Sequence, residues 1–433
     1  MLARRVLAPC QRLLSFNDMR SLDEDRAPHV SRRAFVATAA AAALVRPGIE
    51  REEREVDEGT ASPSPPNVGF DPWLEVDRAA LADNARAVSR LAGGRPILAV
   101  VKNNAYGLGL DTVAPILAAL PEVSLLAVVR AGEALALRKA GVRKPILLMG
   151  PATEDELLEL IPLDVAQSPY RDVAPALLAR VAQRAGRPVH VHLYIDTGMH
   201  RMGMPVDQAL SWVEALSRAR DVRIDTAFTE LTEDADFDRQ QANRLRELQE
   251  AAKSRGVIIP MLHAASSDAV MHQTTETFLG AVRPGLSLYG GYVSERAMQR
   301  GELRPAYRLK ARVIRLDHLA AGEGISYHRR YVAGRPMWTA TLGVGHVDGY
   351  PAGAVKGCEV FANGRLYPVI GTVSASHTII GLGDDESLHV GDEVTLVGPD
   401  HPAIHPNEIA KRAAWSEYDM FMHLSPKLSK RVV

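Results

Sequence analysis

The chain is 433 residues long, 46% hydrophobic and 24% charged, which suits a soluble globular protein with room for two domains. Its 51 basic residues against 52 acidic ones leave a formal net charge of -1, which argues against broad electrostatic binding to nucleic acid or a membrane surface. Cysteine occurs only at Cys10 and Cys358, so neither a disulfide framework nor a cysteine metal site is expected, and Cys358 reads as a small packed hydrophobe.

Residues 1–70 do not read as a folded domain. Ser31-Arg32-Arg33-Ala34-Phe35-Val36, followed by the alanine-rich stretch Ala37 to Val45, has the order of a twin-arginine export signal: a basic pair, a short apolar run, then a polar Pro-rich stretch. The apolar part is too short to span a bilayer, so no stable membrane anchor is expected. A periplasmic protein follows from this reading, with a cytoplasmic one as the alternative. Residues 1–17 carry arginines and no acids, which also suits an organellar transit peptide, or an upstream extension if translation starts at Met19. From Arg46 to Gly69 the chain is acidic and then Pro/Ser-rich, the composition of a disordered linker.

From Trp73 onward short apolar runs alternate with helix-length segments. The runs are Ile97 to Val101, Val123 to Val129, Pro145 to Met149, Pro162 to Ala166, Val189 to Ile195, Ile224 to Thr229, Ile258 to Leu262, and a last one near Ala281. Between them Ala131 to Ala140 and Arg239 to Ser254 have helical apolar spacing. Repeated β-α units of this number predict an α/β fold, a (β/α)8 TIM barrel over residues 71–308, with a doubly wound open sheet as the rival. After about residue 308 the texture changes. Arg312 to Leu316, Thr339 to Leu342, Val369 to Val373 and Val390 to Val397 are β-rich runs separated by glycine turns, so a C-terminal β-rich domain is expected over 309–433.

Lys102 closes the first of these strands and opens Asn103-Asn104-Ala105-Tyr106-Gly107-Leu108-Gly109. A lysine at the end of an apolar strand can be desolvated enough to favour the neutral amine that a carbonyl cofactor needs, although a lone lysine also snorkels. Two glycines and a tyrosine hydroxyl after it suit a backbone that approaches a phosphate closely. Polar residues then follow other strands: Asp196 to Gly203 with Arg201, His263 to Ser267, and Arg283-Pro284-Gly285-Leu286. Singly, Arg201 reads as a solvated loop charge, His263 as a core histidine and Ser266-Ser267 as a helix cap. Gathered at one barrel mouth with Lys102, they supply what a pyridoxal-phosphate site requires.

Five ordered motifs carry a resemblance. Lys102 to Gly109, Asp196 to Gly203, Arg283 to Gly290, Gly324-Ile325-Ser326-Tyr327 and Val390 to Val394 make the chain, from about Trp73 to the C-terminus, similar to the alanine racemases, fold-type III pyridoxal-phosphate enzymes. The resemblance implies a cofactor held on Lys102, with Lys102 as base on the D-face of the substrate α-carbon and Tyr327, reaching across from a second subunit of a homodimer, as base on the L-face. It implies phosphate contacts from Tyr106, Ser267, the backbone of Gly285 and Leu286, and Tyr418. Arg283 would face the pyridine nitrogen, where an always-protonated guanidinium disfavours transamination, with His263 supporting the ring. Arg201 would stand on the substrate side, beside Tyr327.

The resemblance breaks at several site positions. Tyr194 stands where the family has a carbamylated lysine, and Glu230 where it has a histidine near the pyridine-side arginine. His346 replaces an entrance tyrosine, and Ala375 the methionine whose backbone amide contacts the substrate carboxylate. The expected function is therefore interconversion of L- and D-alanine. Smaller residues at the entrance motivate a racemase of broader side-chain range, and the altered wall motivates a non-catalytic cofactor-binding homologue. The amino acid is a small-molecule partner in each case.

Overall fold

The computed structural model describes residues 69–170 and 173–433. The export-signal and linker readings fall on residues outside the described ones. Among the described residues no helix is long and apolar enough to cross a membrane.

Seven parallel strands pair in chain order: Ile97–Val100, Val123–Val128, Ile146–Leu148, Val165–Gln167, Val189–Asp196, Val222–Phe228 and Met261–His263. Parallel strands covered by helices are buried on both faces, and Ile97–Val100 and Ile146–Leu148 are buried along their whole length. The eighth place in the ring is two parallel bridges, Ala281 to His263 and Val282 to Ile97. The ladder still closes, since Leu98 N donates to Val282 O (2.8 Å) and Arg283 N to Ala265 O (2.7 Å). Pro284 has no N–H to continue it, which limits this element to a crossing point.

Two strand expectations shift for the same kind of reason. Ile161–Leu163 forms a 3-10 turn ending at Asp164 in the left-handed region (φ 59°), so the strand starts at Val165 rather than Pro162. Pro260 likewise delays the strand expected from Ile258 to Met261. The helices expected around 131–140 and 239–254 are Ala131–Lys139 and Ala235–Ser254.

The second unit is an antiparallel sheet closed on itself. The long strand Tyr307–Leu319 pairs with Glu393–Val397 at one end and Met337–Leu342 at the other, and Glu359–Ala362, Arg365–Ile370 and Thr378–Gly383 complete the ring. One strand inside the 71–308 range given to the barrel belongs here. Trp73–Val76 runs antiparallel to Tyr307–Lys310 and parallel to Ser429–Val432, so the folded chain begins inside the second sheet before entering the barrel. Trp73 is fully buried beneath the Arg431 and Arg312 guanidiniums, 4.3 and 5.2 Å from a ring centroid, which fixes the strand by cation–π and apolar contact together. Cys358 is buried and its thiol is pushed up to about 11 by burial, in keeping with an inert packing residue.

Candidate active site

Barrel topology brings the polar residues to one mouth, because each follows the C-terminal end of a strand. Lys102 follows Ile97–Val100, Arg201 lies in the loop after Val189–Asp196, Glu230 follows Val222–Phe228, His263 ends Met261–His263, and Arg283 follows the Ala281–Val282 crossing. The Lys102 ammonium is held below the usual lysine range by burial first. Glu230 opposes that shift, while Arg201 and Arg283 add to it. A neutral amine is thereby favoured at this position.

Arg283 is fixed on three sides. Its Nη1 donates to His263 Nδ1 (2.9 Å), and its Nη2 donates to Glu230 Oε2 (2.9 Å) and the Thr229 carbonyl (3.0 Å). Its guanidinium lies 5.0 Å over the Phe228 ring, and Phe228 in turn stacks between Tyr194 (4.5 Å) and His263 (5.0 Å). His263 is neutral, since burial first and then the neighbouring Arg283 hold its pKa far below the usual value. It therefore accepts from Arg283 at Nδ1 and pairs with Thr226 Oγ1 through Nε2 (3.1 Å). Among the described residues no acceptor takes the Arg283 Nε–H, which leaves it as a cationic donor for a ligand.

The same mouth carries a set of uncharged donors. Gly285 N and Ser287 N donate to Ser267 Oγ (3.0 and 3.2 Å), and the Ser287 hydroxyl joins them at 3.1 Å. Leu286 is buried between them at the start of the 3-10 turn Leu286–Tyr289. The Tyr106 phenol packs on the bare α-carbon of Gly285, where a Cβ would come within 2.7 Å of Tyr106 Cζ and closer to its hydroxyl. Tyr418, centroid 6.5 Å from Tyr106, completes the group. Burial raises both phenols, so each remains a neutral donor. Hydroxyls and backbone N–H groups at one mouth with a desolvated lysine and a cationic donor fit a phosphorylated pyridine aldehyde.

Arg201 sits on a loop pinned by Asp196, whose Oδ1 accepts from Gly198 N and His200 N, each at 3.0 Å. Its guanidinium reaches Glu230 Oε1 at 3.7 Å, so one carboxylate faces both arginines of the site. Tyr194 has its hydroxyl raised by burial first and then by Glu230, with Arg283 and Arg201 opposing, so it offers no negative charge to Arg201.

Three expected residues lie elsewhere. Tyr327 is 70% exposed on the second domain, in a 3-10 turn after Ser326. His346 and Ala375 are exposed on neighbouring loops of that domain, joined by His346 N to Ser374 O (3.0 Å) and Val347 N to Ala375 O (3.1 Å). Within one chain no described contact unites them with Lys102 or Arg201. The sequence reading passed over Phe228, Thr226 and Tyr289, apolar or neutral residues that support the charged ones. Tyr289 stacks on Tyr106 at 4.7 Å and donates to Val100 O, and only its place in the Arg283 to Gly290 motif hinted at that.

A closed β/α barrel with a lysine at its first strand end, joined to a closed antiparallel sheet, defines a pyridoxal-phosphate enzyme of the fold-type III kind. Family models bear this out: the alanine racemase N-terminal domain matches residues 76–293 and the alanine racemase C-terminal domain residues 306–432. The chain belongs to the alanine racemase family. Alanine racemase 2 of Caldanaerobacter subterraneus is 31% identical over 366 residues, covering 82% of this chain and 93% of the relative. An alanine racemase of Desulforamulus reducens is 32% identical over 334 residues, covering 75% of this chain and 90% of the relative. The solved alanine racemase of Clostridium difficile 630 superposes with a TM-score of 0.79 at 27% identity, covering 85% of this chain and 97% of that one. The family is one of pyridoxal-phosphate-dependent isomerases.

Proposed function

We propose that this chain racemises alanine as a homodimer with shared sites. The observation that carries the reading is Lys102, a desolvated amine within the field of Arg283, Arg201 and Glu230, at the same strand-end mouth as the donor set of Tyr106, Ser267 and Gly285. The cofactor, when bound, supplies an electron-withdrawing ring that acidifies the substrate α-C–H. Lys102 Nζ removes or returns the α-proton on the D-face, and Tyr327 Oη of a second subunit does so on the L-face. Arg283 donates a hydrogen bond without surrendering a proton, so it holds its ligand in place and leaves protonation of the α-carbon to the two bases. Arg201 offers the substrate carboxylate a cation.

The dimer is supported by the exposure of Tyr327 together with the exposed His346 and Ala375 loops, an unpaired set of site-like residues. Complementation tests it. Lys102→Ala and Tyr327→Phe homodimers, each impaired, are mixed and allowed to exchange subunits, so that each hybrid holds one intact site. Recovery of about a quarter of wild-type specific activity supports shared sites, and no recovery places Tyr327 in the site of its own subunit and overturns the sharing.

Ala375 and His346 favour a second reading, a racemase of wider side-chain range, because smaller or reshaped groups admit larger substrates at about 1–3 kcal/mol per methylene. A panel of single L-amino acids assayed for D-product separates it from an alanine-only enzyme. A chain that loads cofactor on Lys102 but exchanges no α-proton would instead be a binding protein. Export through a twin-arginine route is supported by Ser31-Arg32-Arg33 and the Ala37 to Val45 run, and it suits a cofactor enzyme that folds before transport. Fractionation of cells carrying the chain with Arg32→Lys and Arg33→Lys tests it, cytoplasmic retention of both proteins alike being the contrary result.

A further inference from the structure

Lys102 opens a turn of unusual handedness. Asn103, Asn104, Ala105 and Tyr106 have φ of 54°, 57°, 51° and 55°, four successive L residues in the left-handed region before Gly107. That conformation crowds every Cβ against the following carbonyl, and asparagine bears it best. At the turn where the chain passes into that region, successive N–H groups come to one side and form a concave nest that attracts an anion.

The anion in this nest is Glu133. Its Oε1 accepts from Asn103 N (2.6 Å) and Asn104 N (3.3 Å), the two residues directly after Lys102. Its Oε2 accepts from Val129 N (3.2 Å) and Arg130 N (3.3 Å), at the end of the neighbouring strand Val123–Val128. A glutamate at the third position of the Ala131–Lys139 helix needs only the second pair of bonds to cap its own helix. The first pair ties the lysine turn to the adjacent strand end.

We propose that Glu133 is a positioning residue for Lys102: its carboxylate fills the left-handed nest and clamps the lysine turn to the second barrel strand, fixing where Nζ meets the substrate α-carbon. Its negative charge also works in the sense that supports the lysine's proton-holding state, opposing burial. This rests on the reading of Lys102 as the D-face base.

Holoenzymes of wild type, Glu133→Gln and Glu133→Ala are compared by the deuterium isotope effects of Cα-deuterated D- and L-alanine, by the rate at which hydroxylamine strips the visible band of the lysine-bound cofactor, and by thermal melting. A misplaced Lys102 makes its own proton step limiting in both directions. The isotope effect then rises with D-alanine and falls with L-alanine, in the order wild type, Gln, Ala, and stripping quickens about tenfold in Glu133→Ala. Asn103→Gly added to Glu133→Ala removes a left-handed Cβ and brings both readouts part-way back. A lowered melting temperature with unchanged isotope effects and stripping reduces Glu133 to a helix cap and overturns the proposal, as does a double variant that recovers nothing. If Lys102→Ala still exchanges the α-proton of D-alanine, the base assignment fails instead, and the two failures are told apart.

Discussion

Replacing Gly285 by alanine isolates the contact on which the phosphate-side geometry depends. The new Cβ would lie 2.7 Å from Tyr106 Cζ and 3.3 Å from Cε2, against about 3.5–4.0 Å for a relaxed carbon contact, so the ring must retreat by about 1 Å. It has little room: Tyr106 is 4% exposed and stacked at 4.7 Å on Tyr289, which is itself fully buried. Overpacking of this kind costs about 1–3 kcal/mol, and disturbing the Gly285 N–H bond to Ser267 adds about 1 kcal/mol. Displacing the phenol also removes a hydrogen bond to a charged ligand, a loss of about 10- to 100-fold in cofactor affinity. Urea unfolding of the apoprotein and fluorescence titration with pyridoxal phosphate measure the two effects separately. Tyr106→Phe added to Gly285→Ala deletes the atom nearest the new methyl but leaves Cζ at 2.7 Å, so it should return part of the stability and little of the affinity. Wild-type affinity in Gly285→Ala, or a double variant no more stable than the single, would refute this account of the site.

Other consequences follow from buried charge. Three histidines are held neutral by burial: His192, lowered to about 3, His405, lowered to about 4, and His263, far below its usual value. The unfolded chain binds these protons first, so stability is full above pH of about 6.5 and falls as pH drops below it, approaching about 4 kcal/mol per pH unit while all three differ. Denaturation at pH 7 and pH 5 checks this, and His192→Asn, at a residue whose buried Nδ1 has no partner, should reduce the slope by about one proton. Glu230→Gln keeps an acceptor for Arg283 but loses its charge. With Glu230 partly exposed, a stability cost of about 1–2 kcal/mol is expected, below that of breaking a fully buried pair. Because Glu230 raises the Lys102 pKa, its loss should lower that pKa further, moving the pH midpoint for acylation of Lys102 in the apoprotein toward acid. A midpoint moving the other way would contradict the charge arrangement.

The barrel was legible because doubly buried parallel strands are continuous apolar runs, as in Ile97–Val100 and Val123–Val128, and because barrel geometry gathers strand ends. Pro162, Pro260 and Pro284 moved or truncated elements through their missing N–H groups. Trp73–Val76 was not legible as part of the second sheet. Four residues reading Trp-Leu-Glu-Val suit either sheet, and the partners that decide, Tyr307–Lys310 and Ser429–Val432, lie more than two hundred residues away. In the site, Lys102, Arg201, His263, Ser267 and Arg283 stand out as polar residues after apolar runs, and the structure brings them together. Glu133 did not stand out, since a glutamate in the first turn of a helix is ordinary until the left-handed turn beside it is seen. Tyr327 rested on resemblance alone, because its ring is exposed and nothing in the packing of one chain marks it as a site residue.

The central claim is that Lys102 and Tyr327 each serve one face of the α-carbon. Exchange of the α-proton in heavy water, followed by proton NMR for D- and L-alanine with wild type, Lys102→Ala and Tyr327→Phe, tests it most directly. The account predicts exchange of both enantiomers by wild type, no exchange by Lys102→Ala, and by Tyr327→Phe exchange of D-alanine with almost none of L-alanine. Normal exchange of both enantiomers by Tyr327→Phe would contradict it.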